Sequence, residues 1–203
     1  MLREFQLKNF KAFADTGLLP LRPITLIYGP NSAGKSSIIQ SLMLLKQTLE
    51  EAEDSEIALL PKGKLADLGS YREFIHCHDI SRNFAVKFQL DVNIDKITTP
   101  EELEKITENE SDTLPRVYKF LYGQLMEHPY LSIELEFSVE SFRSDISLQK
   151  VNFWLGQDDS PVLTYEKSNE MALSMIINLL LDTNSLSLSI FLKTPQNPLS
   201  IKL

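Results

Sequence analysis

The sequence Ile24-Thr-Leu-Ile-Tyr-Gly-Pro-Asn-Ser-Ala-Gly-Lys-Ser-Ser-Ile-Ile-Gln40 sets the expected architecture of the whole chain. Within it, Gly29, Gly34, Lys35 and Ser36 fit the pattern G-x-x-x-x-G-K-[ST] without a mismatch. This is the pattern of a phosphate-binding loop, and it carries weight only where a strand precedes it and a helix follows it. The flanking residues therefore have to supply both elements.

The flanks of the loop have the expected patterns. Residues 24–28 form a short run of β-branched, aliphatic and aromatic residues, which is typical of a buried strand. After the loop, Ile38, Leu42, Leu45 and Leu49 recur with the spacing of one helix face. The alternative, a glycine turn that only joins a strand to a helix, does not explain why motif, strand and helix occur together.

A strand, a glycine-rich turn and a helix together make a phosphate site. Glycines let the backbone wrap a phosphate, and the helix N-terminus adds unpaired N–H groups and partial positive charge. Lys35 is expected at the β- and γ-phosphates, and the Ser36 hydroxyl in the Mg²⁺ shell. The sequence thus predicts nucleoside triphosphate binding by Gly29, Pro30, Asn31, Ser32, Ala33, Gly34, Lys35, Ser36 and Ser37.

Composition narrows the remaining function classes. The chain has 203 residues and a formal net charge of −8, with 43% hydrophobic and 24% charged residues. This length allows one large or two small globular domains with a buried core. Surfaces that bind nucleic acid are usually basic, but here only Arg3, Lys8 and Lys11 form a basic group, which Glu4 dilutes. We therefore do not expect this segment alone to bind DNA.

Cysteine usage and hydropathy indicate a cytoplasmic protein. The single cysteine, Cys77, permits no intramolecular disulfide. It lies between His76 and His78, but three adjacent residues do not present a tetrahedral ligand set, so no metal site is predicted there. The N-terminus lacks the apolar region of a signal peptide, and the apolar run 171–181 is too short to span a bilayer. No membrane partner is expected.

Outside the loop, the sequence predicts mostly antiparallel strands. Alternation over residues 2–8 predicts a first strand, followed by a turn at 9–13. From residue 83 onward the period-two pattern is typical of half-buried antiparallel strands. These further strands are predicted at residues 84–92, 131–139, 148–155, 162–165 and 185–192.

Helices are expected at two places in this β-rich part. Thr99 as N-cap and Pro100 in the first turn favour a helix start, and a second helix follows Pro115. A short apolar helix is predicted at 170–182. The predicted fold class is therefore α/β, with a nucleotide-binding lobe and an antiparallel β-subdomain.

Three stretches together resemble a known family. They are Leu7-Lys8-Asn9-Phe10-Lys11-Ala12-Phe13, the loop quoted above, and Leu65-Ala-Asp-Leu-Gly-Ser-Tyr-Arg-Glu-Phe-Ile-His76. This combination resembles the opening of ABC-type ATPases of the SMC, Rad50 and OLD kind. Within that group it is similar to predicted bacterial AAA_15- and AAA_21-type ATPases, many of them encoded in anti-phage defence systems.

The resemblance implies the N-terminal half of an ABC-type P-loop NTPase that uses ATP and Mg²⁺. Residues 1–80 would be the nucleotide-binding lobe, and 81–203 the antiparallel β-subdomain with a helical insertion at about 99–127. It also implies that the turn 9–13 lies near the base and ribose, with Lys11 as the candidate contact.

Two motifs that hydrolysis requires are not recognisable. No run of four apolar residues ends in Asp-Glu, and no glycine-containing signature motif occurs. The nearest metal-binding acid is Asp182, for which a core helix is the better interpretation. The chain could be the N-terminal part of a longer ATPase, half of a split one, or a degenerate nucleotide binder; its strand-like end favours the first.

The family resemblance implies an ATPase head that forms a head-to-head dimer or a higher homo-oligomer. ATP-driven closure would gate a protein effector such as a nuclease, or a DNA transaction, in anti-phage defence. Two alternatives remain: a scaffold that binds nucleotide without hydrolysing it and holds a partner nuclease, or an ATPase of a DNA repair or OLD-type nuclease.

Overall fold

We describe a computed structural model of the chain. The structure describes residues 1–51, 57–96, 99–101, 113–139, 145–156 and 160–166. The predicted helix 170–182, the predicted strand 185–192 and Asp182 lie outside these residues. Among the described helices, none is long and apolar enough to cross a membrane.

The described strands form one antiparallel sheet. The strands are β1 (Leu2–Phe10), β2 (Phe13–Asp15), β3 (Leu19–Pro20), β4 (Phe84–Asp91), β5 (Tyr130–Val139), β6 (Ile146–Leu155) and β7 (Leu163–Glu166). Their order is β2-β1-β4-β5-β6-β7, with β3 paired to β1 beyond the end of β2. The predicted first strand and the predicted strands at 84–92, 131–139, 148–155 and 162–165 are confirmed within two residues at each end. Because β1 pairs with β4, the sheet includes strands from both predicted lobes.

Alternation along the strands, interrupted by register shifts at Leu2/Glu4 and Glu136/Phe137, gives the sheet one apolar face and one polar face. On β4, Phe84, Val86 and Phe88 belong to the core, whereas Lys87 and Gln89 lie on the opposite face. The polar face is not simply solvated, because it carries side chains that are nearly inaccessible to water. These are Ser132, Glu134 and Asn152.

Two helices pack against the main core, and a third packs in a smaller apolar cluster beside it. They are α1 (Lys35–Glu51), α2 (Tyr71–Phe74) and α3 (Thr113–Glu127), with 3₁₀ turns at His76–His78 and Ile94–Lys96. The predicted helix after Pro115 is confirmed as α3, which starts two residues earlier because proline fits the first turn of a helix. Its Leu125 packs in a small cluster with Val92 and Leu155, beside the main core.

Helix α1 forms where the sequence predicted it, and Ile38, Leu42 and Leu45 of the predicted apolar face pack against the core, although its most buried residues lie at other positions. The fully or nearly buried residues are Ser37, Ser41, Leu44, Gln47 and Thr48. Leu49 of the predicted apolar face is 37% exposed. Small polar side chains can lie against the sheet because their hydroxyls bond the preceding turn, as Ser41 does to the Ile38 carbonyl and Thr48 to the Leu44 carbonyl.

The core is built around aromatic rings. Phe10 contacts both Phe74 and Phe84, and Phe84 stacks on Phe137 at 5.7 Å between ring centroids. These rings come from β1, α2, β4 and β5, so they tie the short helix α2 to three strands. Fully buried aromatic side chains contribute most to the hydrophobic stabilisation of such a domain.

The strand predicted at 24–28 is absent from the structure. These residues lie in a segment without regular secondary structure, with Ile24 81%, Leu26 83% and Tyr28 92% exposed. The residues have strand-forming composition, but a strand exists only when neighbouring strands satisfy its backbone hydrogen bonds. None of the described strands pairs with this segment.

Candidate nucleotide-binding site

The loop between Gly29 and Gly34 has a backbone that glycine and small residues allow. Gly29, Ser32 and Gly34 all have positive φ, at 154°, 64° and 88°. The loop closes with the hydrogen bond from the Ala33 N–H to the Pro30 carbonyl at 3.3 Å, and α1 begins at Lys35. The first N–H groups of a helix have no intrahelical acceptor, so this end of α1 offers donors to an anion.

Lys35 folds back over the loop that precedes it. Its ammonium Nζ donates to the carbonyl oxygen of Gly29 at 2.8 Å and to that of Pro30 at 2.7 Å. Both acceptors are neutral, and none of the described carboxylates pairs with this charge. The lysine therefore lies at the loop without a counter-ion from the described chain.

Exposure divides the predicted phosphate-binding residues into two groups. Residues 29–33 and Ser36 are exposed, and Gly34 and Lys35 are half-buried. Ser37 is only 8% exposed, and its N–H bonds to the Gly34 carbonyl at 2.9 Å. The Ser36 hydroxyl is thus on the accessible side of the helix start, whereas the Ser37 side chain belongs to the packed side.

The turn after β1 lies directly against the loop. A Cβ added to Gly34 would come within 2.6 Å of the Phe13 ring and 3.2 Å of the Ala12 Cβ. From the same turn, Lys11 Nζ donates to Gln40 Oε1 on α1 at 2.7 Å. The structure thus places Ala12 and Phe13 of the turn against the phosphate loop and joins Lys11 to α1. The contact of Lys11 with a nucleotide stays a prediction.

Lys11 is a second lysine without a carboxylate partner in the described chain. Partial burial lowers the pKa of Lys11, and in the part of the chain that the structure describes its ammonium bonds only the neutral Gln40 amide. Its backbone is left-handed, with φ of 48°, and its N–H donates to the Phe74 carbonyl at 2.7 Å. A partly desolvated, unpaired cation attracts an anion more strongly than a solvated one.

The stretch 65–76, whose sequence resembles the family, returns to this turn through its residues 70–76. Ser70 caps α2, and the Glu73 carboxylate accepts the Ser70 N–H, an interaction that lowers the pKa of Glu73. Ile75 then forms a bridge with Phe10, and His76 Nδ1 contacts the Lys11 carbonyl at 2.8 Å. The partner of His76 in this structure is thus the Lys11 backbone. Among the described residues, no group of three potential metal ligands occurs.

Residues 60–66, which precede the segment just described, are held to α1 by the buried side-chain amide of Gln47. The Gln47 side chain, which is fully inaccessible, donates to the Leu60 carbonyl at 2.6 Å and accepts the Ala66 N–H at 2.8 Å. Thr48 Oγ1 accepts the Leu60 N–H at 2.9 Å. Helix α1 is thus connected to residues 60–66 through Gln47 and Thr48, and to residues 74–76 through Lys11.

Sequence analysis did not single out Gln40 and His76 as members of this site. Gln40 ends the quoted loop stretch and His76 ends the third family-like stretch, so both were visible in motifs. Their roles depend on contacts with Lys11 across 29 and 65 positions of sequence. No local periodicity reports such contacts.

Comparison with known proteins gives a consistent set of relatives. The family model described as "AAA ATPase domain" matches residues 1–197. The chain is 47% identical over 45 residues to the OLD nuclease of Thermus scotoductus, which is 22% of this chain and 8% of the relative. It is 27% identical over 111 residues to the DNA replication and repair protein RecF of Chlorobium phaeobacteroides, which is 53% of this chain and 29% of the relative. The matched regions thus cover less than a third of either relative.

Proposed function

The chain belongs to the AAA ATPase domain family, and we propose that its residues 29–37 bind the triphosphate of ATP together with Mg²⁺. The resemblance to ATPases of the OLD and SMC-like kind is confirmed by the same comparisons. In this proposal the loop N–H groups and Lys35 hold the β- and γ-phosphates, and the exposed Ser36 hydroxyl joins the Mg²⁺ shell.

One observation carries this proposal: Lys35 at the start of α1, and Lys11 beside Gln40 on the same helix, have no carboxylate partners among the described residues. Among the described residues, Lys35 donates only to loop carbonyls, and Lys11 donates only to the Gln40 side-chain amide. In a chain with a formal charge of −8, unpaired cations at a helix N-terminus favour an anionic ligand. In this proposal the triphosphate engages Lys35 and the helix N–H groups, and Lys11 lies near the base and ribose, as the family resemblance implies.

Beyond binding, we propose that ATP drives the association of two such heads. OLD nuclease and RecF, by their names, act in nucleic-acid cleavage and in DNA replication and repair. In the proposal, closure of the dimer gates a protein effector or a DNA transaction, with anti-phage defence as the setting that the family resemblance favours. The −8 charge argues that DNA contacts come from a partner or the assembled dimer.

A second candidate is a module that binds ATP without hydrolysing it. The observation behind it is that no apolar run in these 203 residues ends in Asp-Glu, and this favours the module only if the motif does not lie in a further segment. Such a module would hold a partner nuclease in a nucleotide-dependent manner. The two candidates share the same phosphate site and differ only in turnover.

The direct test is titration of the chain with ATP and Mg²⁺, comparing Lys35→Ala with Lys46→Ala. Lys46 lies on the same helix with its side chain 62% exposed, and it pairs with Glu50 at 3.7 Å, so it is a matched control. Loss of the charge-assisted contacts in Lys35→Ala should weaken ATP binding by about tenfold or more. Equal affinity in the two variants would disprove the site.

Turnover and assembly are measured on the same samples. Hydrolysis that depends on Lys35, with ATP-dependent dimers in sedimentation, supports the gating ATPase. Binding without turnover supports the non-hydrolysing module. Monomers at saturating ATP would disprove the proposed head-to-head dimer for this chain.

A further inference from the structure

We propose that His76 is a positioning residue that fixes Lys11 at the nucleotide site through the Lys11 backbone carbonyl. This inference rests on the proposed ATP site and adds a residue that contacts neither the loop nor α1 in the described contacts. His76 would act on nucleotide affinity only through Lys11. The supporting observations are the hydrogen bonds to the backbone N–H and carbonyl oxygen of Lys11 and the left-handed conformation of this residue.

The backbone of Lys11 is held from two directions by the segment 74–76. Its N–H donates to the Phe74 carbonyl at 2.7 Å, and its carbonyl oxygen lies 2.8 Å from His76 Nδ1. The adjacent bridge between Phe10 and Ile75 places these two bonds in register. Because both polar groups of Lys11 are engaged, the direction in which its side chain leaves the turn is fixed.

Lys11 needs this support because its conformation is intrinsically unfavourable. Its φ is 48°, in the left-handed region where a side chain with a Cβ crowds the following carbonyl. Such a residue persists where surrounding contacts determine its conformation. Removing the His76 contact leaves the carbonyl free to rotate, and with it the path of the side chain towards Gln40.

The chemistry of the contact fixes the donor. A carbonyl oxygen only accepts hydrogen bonds, so Nδ1 of His76 carries the hydrogen that it donates to Lys11. The task is therefore a single N–H placed at a given point, which an asparagine amide can also supply. His76→Asn is therefore a conservative replacement that keeps the hydrogen-bond donor. If His76 acted only by packing, asparagine would not restore its effect.

The position of Lys11 matters because Gln40 is close to the start of α1. Gln40 follows Lys35 by five residues, which is about 7.5 Å along a helix axis. The Lys11 ammonium, which donates to Gln40 Oε1, therefore lies within about two helical turns of the start of α1. A change in the direction of the Lys11 side chain thus changes the charge near the proposed site.

The neighbouring histidine supplies a matched control. His78 Nδ1 also contacts a backbone carbonyl at 2.8 Å, that of Arg72, but this acceptor lies in its own segment and away from Lys11. Both histidines lie in the same 3₁₀ turn. A His78→Ala change therefore removes the same type of bond without touching the Lys11 carbonyl.

The test is the dissociation constant for ATP with Mg²⁺ in His76→Ala, His76→Asn, His78→Ala, Lys11→Ala and the double variant Lys11→Ala/His76→Ala. Loss of one hydrogen bond that positions a cation should weaken binding about threefold to tenfold in His76→Ala. His76→Asn should recover most of the affinity, and His78→Ala should bind as the parent chain does. The double variant should bind no more weakly than Lys11→Ala alone, because His76 acts through Lys11.

A second measurement does not involve nucleotide. Amide hydrogen exchange at Lys11, whose N–H bonds to the Phe74 carbonyl, should accelerate in His76→Ala and recover in His76→Asn. Unchanged exchange and unchanged affinity in His76→Ala would overturn the inference, as would additive losses in the double variant. If ATP binding by the parent chain does not depend on Lys35, the proposed function fails and the inference fails with it. If binding depends on Lys35 but not on His76, only the inference about His76 fails.

Discussion

Lys8 on β1 and Glu134 on β5 form an ion pair of 2.7 Å, although β4 lies between their strands. The residue directly beside Lys8 on β4 is Ala85, whose methyl group leaves room for the lysine side chain to cross. Glu134 is buried, and its second oxygen accepts Asn152 Nδ2 at 3.2 Å. Burial opposes the charge of Lys8, but the hydrogen bond and charge of Glu134 raise the pKa of Lys8 overall. The pair therefore connects three strands across the polar face.

We expect Glu134→Leu to destabilise the fold by about 1 to 3 kcal/mol, because the buried Asn152 amide loses its acceptor and Lys8 its counter-ion. The measurement is urea unfolding at neutral pH. Glu50→Leu is the control, since the Lys46–Glu50 pair is exposed at both side chains and its loss should cost about 0.5 kcal/mol or less. Equal losses in the two variants would contradict a structural role for the buried Glu134 carboxylate.

The Tyr71 hydroxyl joins α2 to two strands and predicts a pH dependence. It accepts the Phe84 N–H at 2.8 Å and lies 2.9 Å from the Phe137 carbonyl; burial raises the pKa of Tyr71 to about 12. The folded state therefore keeps a proton that the unfolded chain loses near pH 10. Stability from this group is complete below pH 10 and falls as the pH rises towards 12, by about 1 to 2 kcal/mol.

Tyr71→Phe should remove that alkaline decline and also cost about 1 to 3 kcal/mol at neutral pH, because the Phe84 N–H loses its acceptor. Denaturant unfolding of both proteins at neutral and alkaline pH measures both effects. Parallel stability curves from pH 10 to 12 would show that another group causes the decline.

Gly34 allows a prediction that separates backbone strain from close contact. Gly34 and Gly17 both have positive φ, but a Cβ at Gly34 would collide with Phe13, whereas a Cβ at Gly17 meets no described atom within 4 Å. Gly17→Ala should therefore cost only the left-handed penalty of about 1 kcal/mol. Gly34→Ala should in addition displace the loop from the turn and abolish ATP binding in the titration proposed above. Retained affinity in Gly34→Ala would show that the loop does not depend on this packing.

The sequence predicted those parts of the fold that depend on local pattern. Hydrophobic periodicity predicted β1, α1 and the strands from β4 to β7, because in these elements the apolar residues lie on the side that packs against the core. The burial of Ser41 and Thr48 on α1 was not predictable, because their hydroxyls bond to their own helix and polar residues carry no apolar signal. The contacts of Lys11 with Gln40 and His76 join distant positions, so only the folded chain reveals them.

The segment 24–28 shows the opposite limit, in which a strong local signal does not produce the element. Its composition is that of a buried strand, yet Leu26 is 83% exposed. Whether such a run forms a strand depends on partners that satisfy its backbone, and composition does not report them.

This exposure makes a final prediction about Leu26. In the described structure Leu26→Ser removes almost no buried surface, so it should change the free energy of unfolding by about 0.5 kcal/mol or less. The same change at Leu44, which is fully buried in α1, should cost about 2 to 5 kcal/mol. Thermal and urea unfolding of the two variants measure the difference. A large loss in Leu26→Ser would mean that the run before the phosphate loop is buried in a sheet, as its composition first indicated.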